Sequence, residues 1–489
     1  MQRFIKMLPV VLLFTFSHRV FAGDGHNIRI KVNGLKDTLC YLANYYGDKQ
    51  YLKDSVKTDA TGRFAFEGKE KLPGGIYLIV VPGRKYFELI VDAEQDFSIE
   101  TDTTNFVKFM KVKGSSDNKM FYDYLNVIEA KQKEAEPISA RIKALRGDND
   151  TTKQGKENAP KLAKENADSI KILKDELGKI DKDMKNYKLK FMKDHPTAFL
   201  AKVFKTSEDP EVPETPLLPN GQKDSLFPYF YYKNHFFDNV DFSDERLLRT
   251  PVLFNKIKQY LNTLTVQHPD SLDAAADYLA EKGKANKEIF KFIVYYITNT
   301  YEISNLMGAD AVFVHMVETY YMTRQAYWVD SALLVKITDR AMQLKPILLG
   351  KTAPDLTLYD TAGKVVSLHD VKAKLTILVF WDPGCGHCKK VIPKLKDLYD
   401  KYKANGVETF AICTVADTAE WKKYIKEHNL NWINAHDKYN YTNFHHIYDI
   451  YSTPVIYLLD ETKKILAKRL GVEDLEGFME RALKIERKP

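Results

Sequence analysis

Residues 375–388 read Leu-Thr-Ile-Leu-Val-Phe-Trp-Asp-Pro-Gly-Cys-Gly-His-Cys, an apolar run followed by a short turn and two cysteines three positions apart. The apolar run is typical of a buried strand, and the residues that follow are typical of a helix. Cys385 is therefore expected in the first helical turn, where unpaired backbone N–H groups and the helix dipole favour a thiolate. Cys388 follows one turn later, close enough to form a disulfide with Cys385. The pair predicts a nucleophilic thiol and a resolving thiol.

The rest of residues 347–489 alternates strand-like and helix-like runs, which predicts helices flanking a mixed sheet. The predicted strands are Leu375–Phe380, Val407–Val415, Val455–Asp460 and Ile465–Leu470, and the predicted helices are Cys385–Ala404, Ala419–His428 and Glu473–Ile485. Leu356–Leu358 and Val365–Leu368, separated by a turn that ends at Gly363, predict a β-hairpin. The C-terminal segment is therefore an α/β domain.

Two other patterns precede this domain. Residues 23–114 contain seven short alternating runs broken by turn residues, which predict a small antiparallel β-sandwich or barrel. Residues 115–346 change to a helical period, with amphipathic helices over Met120–Leu145 and Ala159–His195 and a loop over Arg146–Asn158. The fold class is multidomain, with an N-terminal all-β domain, a middle all-α domain and a C-terminal α/β domain. The length of 489 residues agrees with this division, because it exceeds what one hydrophobic core serves.

The N-terminus has the pattern of a signal peptide over residues 1–22. Basic Arg3 and Lys6 precede the apolar run Met7–Phe16, and Val20-Phe21-Ala22 is a small-residue cleavage pattern. The run is shorter than the roughly 20 residues of a spanning helix, and no cysteine follows the cleavage site for lipid attachment. We expect a soluble exported chain, in the periplasm or cell envelope. The formal charge of +7 falls when this segment leaves and gives no support for nucleic-acid binding.

The chain has four cysteines, too few for a disulfide-stapled secreted scaffold. Cys385 and Cys388 form the close pair. Cys40 and Cys413 lie in strand-like runs and are expected to be small buried core residues. A Cys40–Cys413 bridge remains a second option for these two residues.

Several features of residues 347–489 together resemble the TlpA/ResA-like branch of the thioredoxin superfamily. Ala353-Pro354, Leu356, Leu358, Asp360, Gly363-Lys364 and Leu368 are similar to the lead-in hairpin of that branch. Phe380-Trp381 precedes the two cysteines, Pro393 follows them, and Thr453-Pro454 matches the loop that carries the cis-proline of the family. The long interval between Cys388 and Pro454 fits the extended branch with an inserted βα unit.

The resemblance implies roles for individual residues. Cys385 would be the exposed attacking thiolate and Cys388 the buried resolver. Pro454, if cis, would face the cysteine pair and leave the Thr453 backbone free to pair with an extended substrate. Trp381 would pack beside the site and contribute to substrate binding. No cofactor is implied beyond the redox-active disulfide Cys385–Cys388.

The residues inside and around the motif predict its redox character. His387, beside the thiolate, favours the reduced form, so the disulfide should be more oxidising than with proline there, as in disulfide isomerases. Gly384 replaces a bulky residue and should leave the site open to substrate. Val379 and Val391 occupy positions where relatives have acids, which leaves Cys388 without an identified proton acceptor and weakens a specific role in cytochrome maturation.

The predicted activity is thiol–disulfide exchange with exported proteins, with an unidentified membrane or periplasmic redox partner that recharges the pair. Three alternatives compete with this activity. A zinc site could combine the motif with His445-His446, but it lacks a second close pair of ligands. Peroxiredoxin chemistry lacks the sequence that approaches a peroxidatic cysteine. A non-enzymatic envelope binding or assembly protein, with an incidental redox module, is the strongest alternative.

Overall fold

The computed structural model describes residues 25–148, 153–416 and 418–485. The predicted signal peptide, residues 1–22, lies outside these described residues. The chain divides into two compact units. The first contains the described residues up to 214 with residues 235–240 and 246–255, and the second contains residues 215–234, 241–245 and the described residues from 256 onward.

The first unit begins with a β-sandwich of two four-stranded sheets. Its strands are β1 (His26–Asn33), β2 (Leu39–Tyr46), β3 (Lys49–Lys57), β4 (Arg63–Gly68), β5 (Gly75–Val81), β6 (Lys85–Val91), β7 (Asp96–Asp102) and β8 (Lys111–Lys113). The sheet orders are β4-β1-β7-β8 and β3-β2-β5-β6. On β1, β2, β4 and β7 alternate side chains, such as Ile28, Ile30 and Val32 on β1, are buried in the core between the sheets. All seven predicted strands are present, and the short β8 was not predicted.

One strand pair corrects the expectation of a purely antiparallel sandwich. β1 and β7 pair in parallel, with Ile28 opposite Phe97 and Ile30 opposite Ile99. Five strands lie between β1 and β7 in the chain, a connection long enough to bring the second strand back in the same direction. The alternation of each strand predicts its buried face but does not predict the direction of its partner.

Four helices lie wholly within the first unit: α1 (Ser116–Arg146), α2 (Lys153–Glu165), α3 (Ala167–Asp194) and α4 (Phe199–Ser207). The Ser115 side chain caps α1 by accepting a hydrogen bond from the Asn118 N–H. The Asn118 amide in turn bonds to both backbone groups of Ile90 on β6, at 2.8 and 2.7 Å, and so joins the helix to the sheet. α2 begins inside the predicted loop Arg146–Asn158, which corrects the extent of that loop.

Further helices precede the final sheet: α5 (Phe227–His235), α6 (Pro251–Asn262), α7 (Pro269–Gly283), α8 (Lys287–Glu302), α9 (Ala309–Met316) and α10 (Ser331–Leu344). α5 and α6 have residues in both units, whereas α7 to α10 belong to the second unit. α7, α8 and α9 pack against one another through apolar faces that include Leu279, Ile293 and Val312, all fully buried. The middle region is all-α, as predicted.

The second unit ends in a seven-stranded mixed sheet flanked by helices. Its strands are β9 (Thr357–Asp360), β10 (Val365–Ser367), β11 (Leu375–Trp381), β12 (Val407–Cys413), β13 (Ile433–His436), β14 (Val455–Asp460) and β15 (Ile465–Lys468), in the order β10-β9-β13-β12-β11-β14-β15. Its helices are α11 (Cys388–Tyr402), α12 (Thr418–Glu427), α13 (Phe444–Ile447) and α14 (Val472–Leu483). The predicted hairpin is β9 and β10, and the predicted α/β class is confirmed. β13 and α13 were not predicted.

The two isolated cysteines lie in separate hydrophobic cores. Cys40 is fully buried in the sandwich, and Cys413 is buried in the core beside β11. Neither forms a disulfide, so the optional bridge between them is not formed, and both are core residues as predicted.

A buried ion pair joins the middle helices to the final sheet within the second unit. Lys468 of β15 pairs with Asp310 of α9, and its ammonium also donates to the backbone carbonyl of Ile347 at 2.8 Å. The Lys468 side chain is 6% exposed, so these oxygen partners compensate for the water that the ammonium loses. The contact fixes α9 against the sheet.

Candidate redox site

β11 places the two cysteines at the end of a rigid central strand. Every residue of β11 is buried, and the strand pairs with β12 in parallel on one side and with β14 in antiparallel on the other. The apolar sequence makes this possible, because a strand covered on both faces needs no polar alternation. The chain leaves the sheet after Trp381 and reaches the cysteines through a short turn.

Hydrogen bonds within residues 382–389 fix the geometry of this turn. The Asp382 carboxylate accepts from the Gly384 N–H at 2.6 Å, and the Asp382 carbonyl accepts from the Cys385 N–H at 3.1 Å. The Cys385 carbonyl accepts from the Lys389 N–H at 3.0 Å and so begins the helical pattern. α11 itself begins at Cys388, which corrects the predicted helix start at Cys385. Cys385 therefore lies just before the helix, where its sulfur faces the unpaired N–H groups of the first turn.

The two thiols have opposite environments. Cys385 is partly exposed, and the backbone N–H of Cys388 holds the pKa of its thiol below the usual value, against the opposing effect of partial burial. Cys388 is 1% exposed, and burial raises the pKa of its thiol to about 11. Both are free thiols in the structure. At neutral pH the outer cysteine is the stronger nucleophile, since the thiolate is the reactive form.

The loop before β14 lies against Cys385. The Cys385 Sγ is 3.5 Å from the carbonyl oxygen of Thr453, and the Thr453–Pro454 peptide bond is cis. This is the position at which the resemblance implies a cis-proline. Residues 68 positions apart in the chain are thus brought together by the adjacent strands β11 and β14.

Three predicted site residues differ in their access to solvent. Trp381 is fully buried, with its ring 5.3 Å from that of Tyr424, so it packs beside the site from the core. Its contribution to substrate binding stays a prediction. Gly384 is exposed, and a Cβ there would meet only the Asp382 side chain, at 3.2 Å. His387 is exposed directly before α11.

Val379 and Val391 are both buried and apolar, so neither position supplies an acid for Cys388. Tyr424 of α12 is an ionisable neighbour of Cys388 that was not predicted. Its hydroxyl is buried without a hydrogen-bond partner among the described residues. Burial raises the pKa of Tyr424, and the charge of Cys388 raises it further. Its position on the apolar face of α12 is the pattern of a core residue, so the sequence contains no signal for this proximity.

The alternative zinc site would need the motif cysteines and His387 to converge with His445 or His446. Within the part of the chain that the structure describes, no three His, Cys, Asp or Glu side chains are arranged to hold a metal ion. The imidazole of His445 instead contacts the Ile450 carbonyl at 3.3 Å.

Comparisons with known families divide the chain into three matching segments. Residues 348–483 match the Redoxin family. Residues 161–345 and 26–121 match two domains of unknown function, DUF5106 and DUF4369 respectively. The redox match ends close to the last described helix, and it includes the cysteine pair and Thr453-Pro454.

Proteins with related sequences include the thiol-disulfide oxidoreductase ResA of Bacillus cereus, which is 33% identical over 136 residues, or 27% of this chain and 78% of that protein. The ResA protein of Geobacillus kaustophilus is 28% identical over 137 residues, again covering 78% of that protein. A solved domain of a possible thiol-disulfide isomerase from Cytophaga hutchinsonii is 45% identical, covers 28% of this chain and 97% of that domain, and has a TM-score of 0.27.

The strand, the turn with two thiols and the adjacent cis-proline loop together define a thioredoxin-fold oxidoreductase module. The ResA relatives identify the family within this class, since the protein of Bacillus cereus is 33% identical to this chain over 78% of its own length. The chain belongs to the TlpA/ResA-like family of thiol-disulfide oxidoreductases in the thioredoxin superfamily. Its enzymatic class is therefore thiol-disulfide oxidoreductase.

Proposed function

We propose that this protein is an exported oxidoreductase of the cell envelope that exchanges disulfides with exported proteins through Cys385 and Cys388. The observation that carries the proposal is the difference between the two thiols. An accessible thiol with a lowered pKa lies beside a buried thiol whose pKa is about 11. Such a pair can attack a substrate and then release it.

In the reductive direction, the Cys385 thiolate attacks one sulfur of a substrate disulfide. A bond forms between Cys385 and that sulfur, the substrate S–S bond breaks, and the second substrate sulfur leaves as a thiolate that takes a proton from water. Cys388 loses its proton and attacks the Cys385 sulfur, which releases the first substrate thiol and forms the Cys385–Cys388 disulfide. Two electrons and two protons pass to the substrate, and the reverse sequence oxidises a dithiol.

The cis-proline loop gives this chemistry a site for polypeptide. The carbonyl of Thr453 lies 3.5 Å from the Cys385 sulfur, so an extended substrate segment that pairs with the loop would bring its disulfide to the nucleophile. The exposed Gly384 and Gly386 leave room for such a segment, because a Cβ at Gly386 would meet no atom within 4 Å. Thr453, Pro454 and Gly384 are therefore the proposed substrate-contact residues.

His387 is the proposed determinant of redox poise. Its imidazole is exposed next to the motif and, when protonated, stabilises the neighbouring thiolate of the reduced form. The disulfide should be more oxidising than that of a thioredoxin with proline at this position.

Export rests on the predicted signal peptide over residues 1–22. Across the residues that the structure describes, no helix has the length and apolar character needed to cross a bilayer. The proposed partners are exported proteins with disulfides or thiols, and a membrane or periplasmic redox protein that recharges the pair. No cofactor beyond the Cys385–Cys388 disulfide is proposed.

Reduction of insulin disulfides by the purified protein, with dithiothreitol as electron source, tests the activity. We expect turnover well above the dithiothreitol background. Absence of turnover, with Cys385 also unreactive toward a thiol probe, would leave the alternative of a binding or assembly protein. Mass spectrometry of the protein recovered from a bacterial envelope fraction tests export, with Gly23 as the expected first residue.

A further inference from the structure

Asp449 is a buried carboxylate at the start of the loop that reaches the redox site. Its side chain is 0% exposed, and its backbone has a positive φ of 56°. Pro454 follows five residues later, directly before β14. The position of Asp449 therefore limits where the intervening backbone can run, including the Thr453 carbonyl beside Cys385.

Three side chains hold this carboxylate, two from α10 and one from the residue that follows β15. Arg340 of α10 donates to both Asp449 oxygens, the second contact being 3.1 Å, and Gln343 of α10 lies 3.4 Å from the first oxygen. Arg469, which follows β15, donates to the second oxygen. The Gln343 amide also donates to the His446 carbonyl at 2.8 Å. A helix of the middle region thus binds both the side chain and the backbone of the segment that enters the loop.

The middle of the loop touches the same helix again. Tyr451 is 78% exposed, and the Arg340 guanidinium lies 5.9 Å from the centre of its ring. From the sheet, the hydroxyl of Tyr457 on β14 donates to the carbonyl of Tyr448, just before the loop, at 2.9 Å. The loop is therefore anchored where it begins and where it ends, and α10 provides the contacts on its exposed side.

Bidentate Arg–carboxylate pairs fix orientation as well as distance, because two parallel N–H···O bonds define a plane. A surface salt bridge would hold the loop weakly, whereas a fully buried carboxylate must keep its partners. The Asp449 carboxylate is fully buried, so the loop cannot shift without breaking its contacts with Arg340 and Arg469.

We propose that Arg340 and Gln343 are positioning residues for thiol–disulfide exchange, which act through Asp449 to set the place of the Thr453 carbonyl relative to the Cys385 sulfur. This inference rests on the proposed function, since it assumes that polypeptide substrates pair with the loop. It assigns a role to the middle helical region, which would complete the substrate site of the redox module without contacting the reacting sulfurs.

Capture of an activated peptide tests this role without requiring turnover. In a Cys388→Ser background, Cys385 attacks a nine-residue peptide whose cysteine carries a thionitrobenzoate leaving group, and also attacks free cysteine activated in the same way. The peptide uses the loop, whereas the amino acid does not. We expect Arg340→Ala to lower the rate of peptide capture by about 2- to 30-fold, the range of couplings carried by indirect contacts. Capture of activated cysteine should stay within about twofold by the same reasoning.

Two further variants distinguish positioning from loss of stability. Arg340→Lys retains a cation and should recover part of the rate of peptide capture. Lys345→Gln removes an exposed ion pair with Glu318 at the end of α10 and should leave both rates unchanged. If Arg340→Ala does not fold, Arg340→Gln combined with Asp449→Asn removes both charges together and takes its place.

Equal rates of peptide capture by folded Arg340→Ala and its parent, or equal losses for peptide and activated cysteine, would overturn the inference. Failure of the proposed function has a different signature. In that case the protein with both cysteines would not reduce insulin, whatever the ratio of the two capture rates.

Discussion

The β-sandwich and the turn after β11 both contain cysteines, yet only one of these regions is arranged for chemistry. Burial raises the pKa of Cys40 in the sandwich to about 11, and it raises the pKa of Cys388 to the same value. The buried thiols of Cys40 and Cys388 therefore do not differ in pKa. The difference is Cys385, which lies three residues from Cys388 and outside the helix, where backbone N–H groups lower the pKa of its thiol. A buried cysteine is a core residue unless an activated thiol lies beside it.

Removal of the activated thiol should have the largest effect. Cys385→Ser leaves the fold and Cys388 in place but provides no accessible thiolate, so we expect insulin reduction to fall by roughly 10³-fold or more, as for loss of a nucleophile in other enzymes. Initial rates of insulin precipitation measure the change. Residual activity within tenfold of the parent would place the nucleophile elsewhere.

Removal of the buried thiol should separate the first step from the second. Cys388→Ser retains the attack by Cys385 but has no resolver, so turnover should be lost while mixed disulfides accumulate. Non-reducing electrophoresis of the envelope fraction, followed by mass spectrometry, identifies the captured proteins. A variant that captures no protein in cells would contradict the proposed order of attack.

Alkylation of the reduced protein should rank the cysteines directly. At pH 7 we expect Cys385 to react with iodoacetamide at least about 100-fold faster than Cys388 or Cys40, since burial raises the pKa of both buried thiols to about 11 and each unit of pKa changes the thiolate fraction tenfold. The rate at Cys385 should fall as pH is lowered through its pKa, because the thiolate becomes protonated. Mass spectrometry of quenched samples follows each site. Similar rates at Cys385 and Cys40 would remove the contrast between the redox turn and the sandwich.

A smaller effect is expected from the residue between the cysteines. His387→Pro removes the imidazole that stabilises the reduced form, so the reduction potential should become more negative by roughly 30 mV, a tenfold change in the equilibrium constant. Equilibration with glutathione buffers measures the potential. A shift toward more positive values would show that His387 does not favour the reduced form.

The smallest effect on activity is expected in the sandwich. Cys40→Ser places a hydroxyl in an apolar core and should lower the free energy of unfolding by about 1–3 kcal/mol. Insulin reduction should remain unchanged at temperatures where the variant is folded. Denaturant titration monitored by circular dichroism measures the first quantity. A large loss of activity in folded Cys40→Ser protein would mean that the sandwich takes part in the reaction.

The sequence predicted those parts of the fold and site that depend on local pattern. The apolar run of β11, the two thiols and Thr453-Pro454 could each be read from neighbouring residues. The three-domain division at residues 114 and 346 remains a prediction, since the compact units divide the middle region differently.

Features that depend on distant contacts were not predictable. The parallel pairing of β1 with β7 requires knowledge of the partner strand. β13 has only four residues, two of them polar, so its pattern is too short to identify. α11 begins at Cys388 and not at the predicted Cys385. Asp382 accepts hydrogen bonds from the N–H groups of Gly384 and Cys385 and so holds these residues in a turn before the helix. Asp449 is one acid among many in the sequence, and only the fold brings Arg340 to it.

The ion pair between Lys468 and Asp310 has a consequence for excising the redox module as a separate fragment. A fragment that starts at residue 347 keeps the buried ammonium of Lys468 but loses its carboxylate. Burial already lowers the pKa of Lys468, and Asp310 opposes that effect. Loss of one partner of a buried pair costs roughly 3–5 kcal/mol unless the exposed surface rehydrates. The stability of the redox module therefore depends on a residue outside its sequence limits. Transfer of the module to another protein would require a replacement for Asp310.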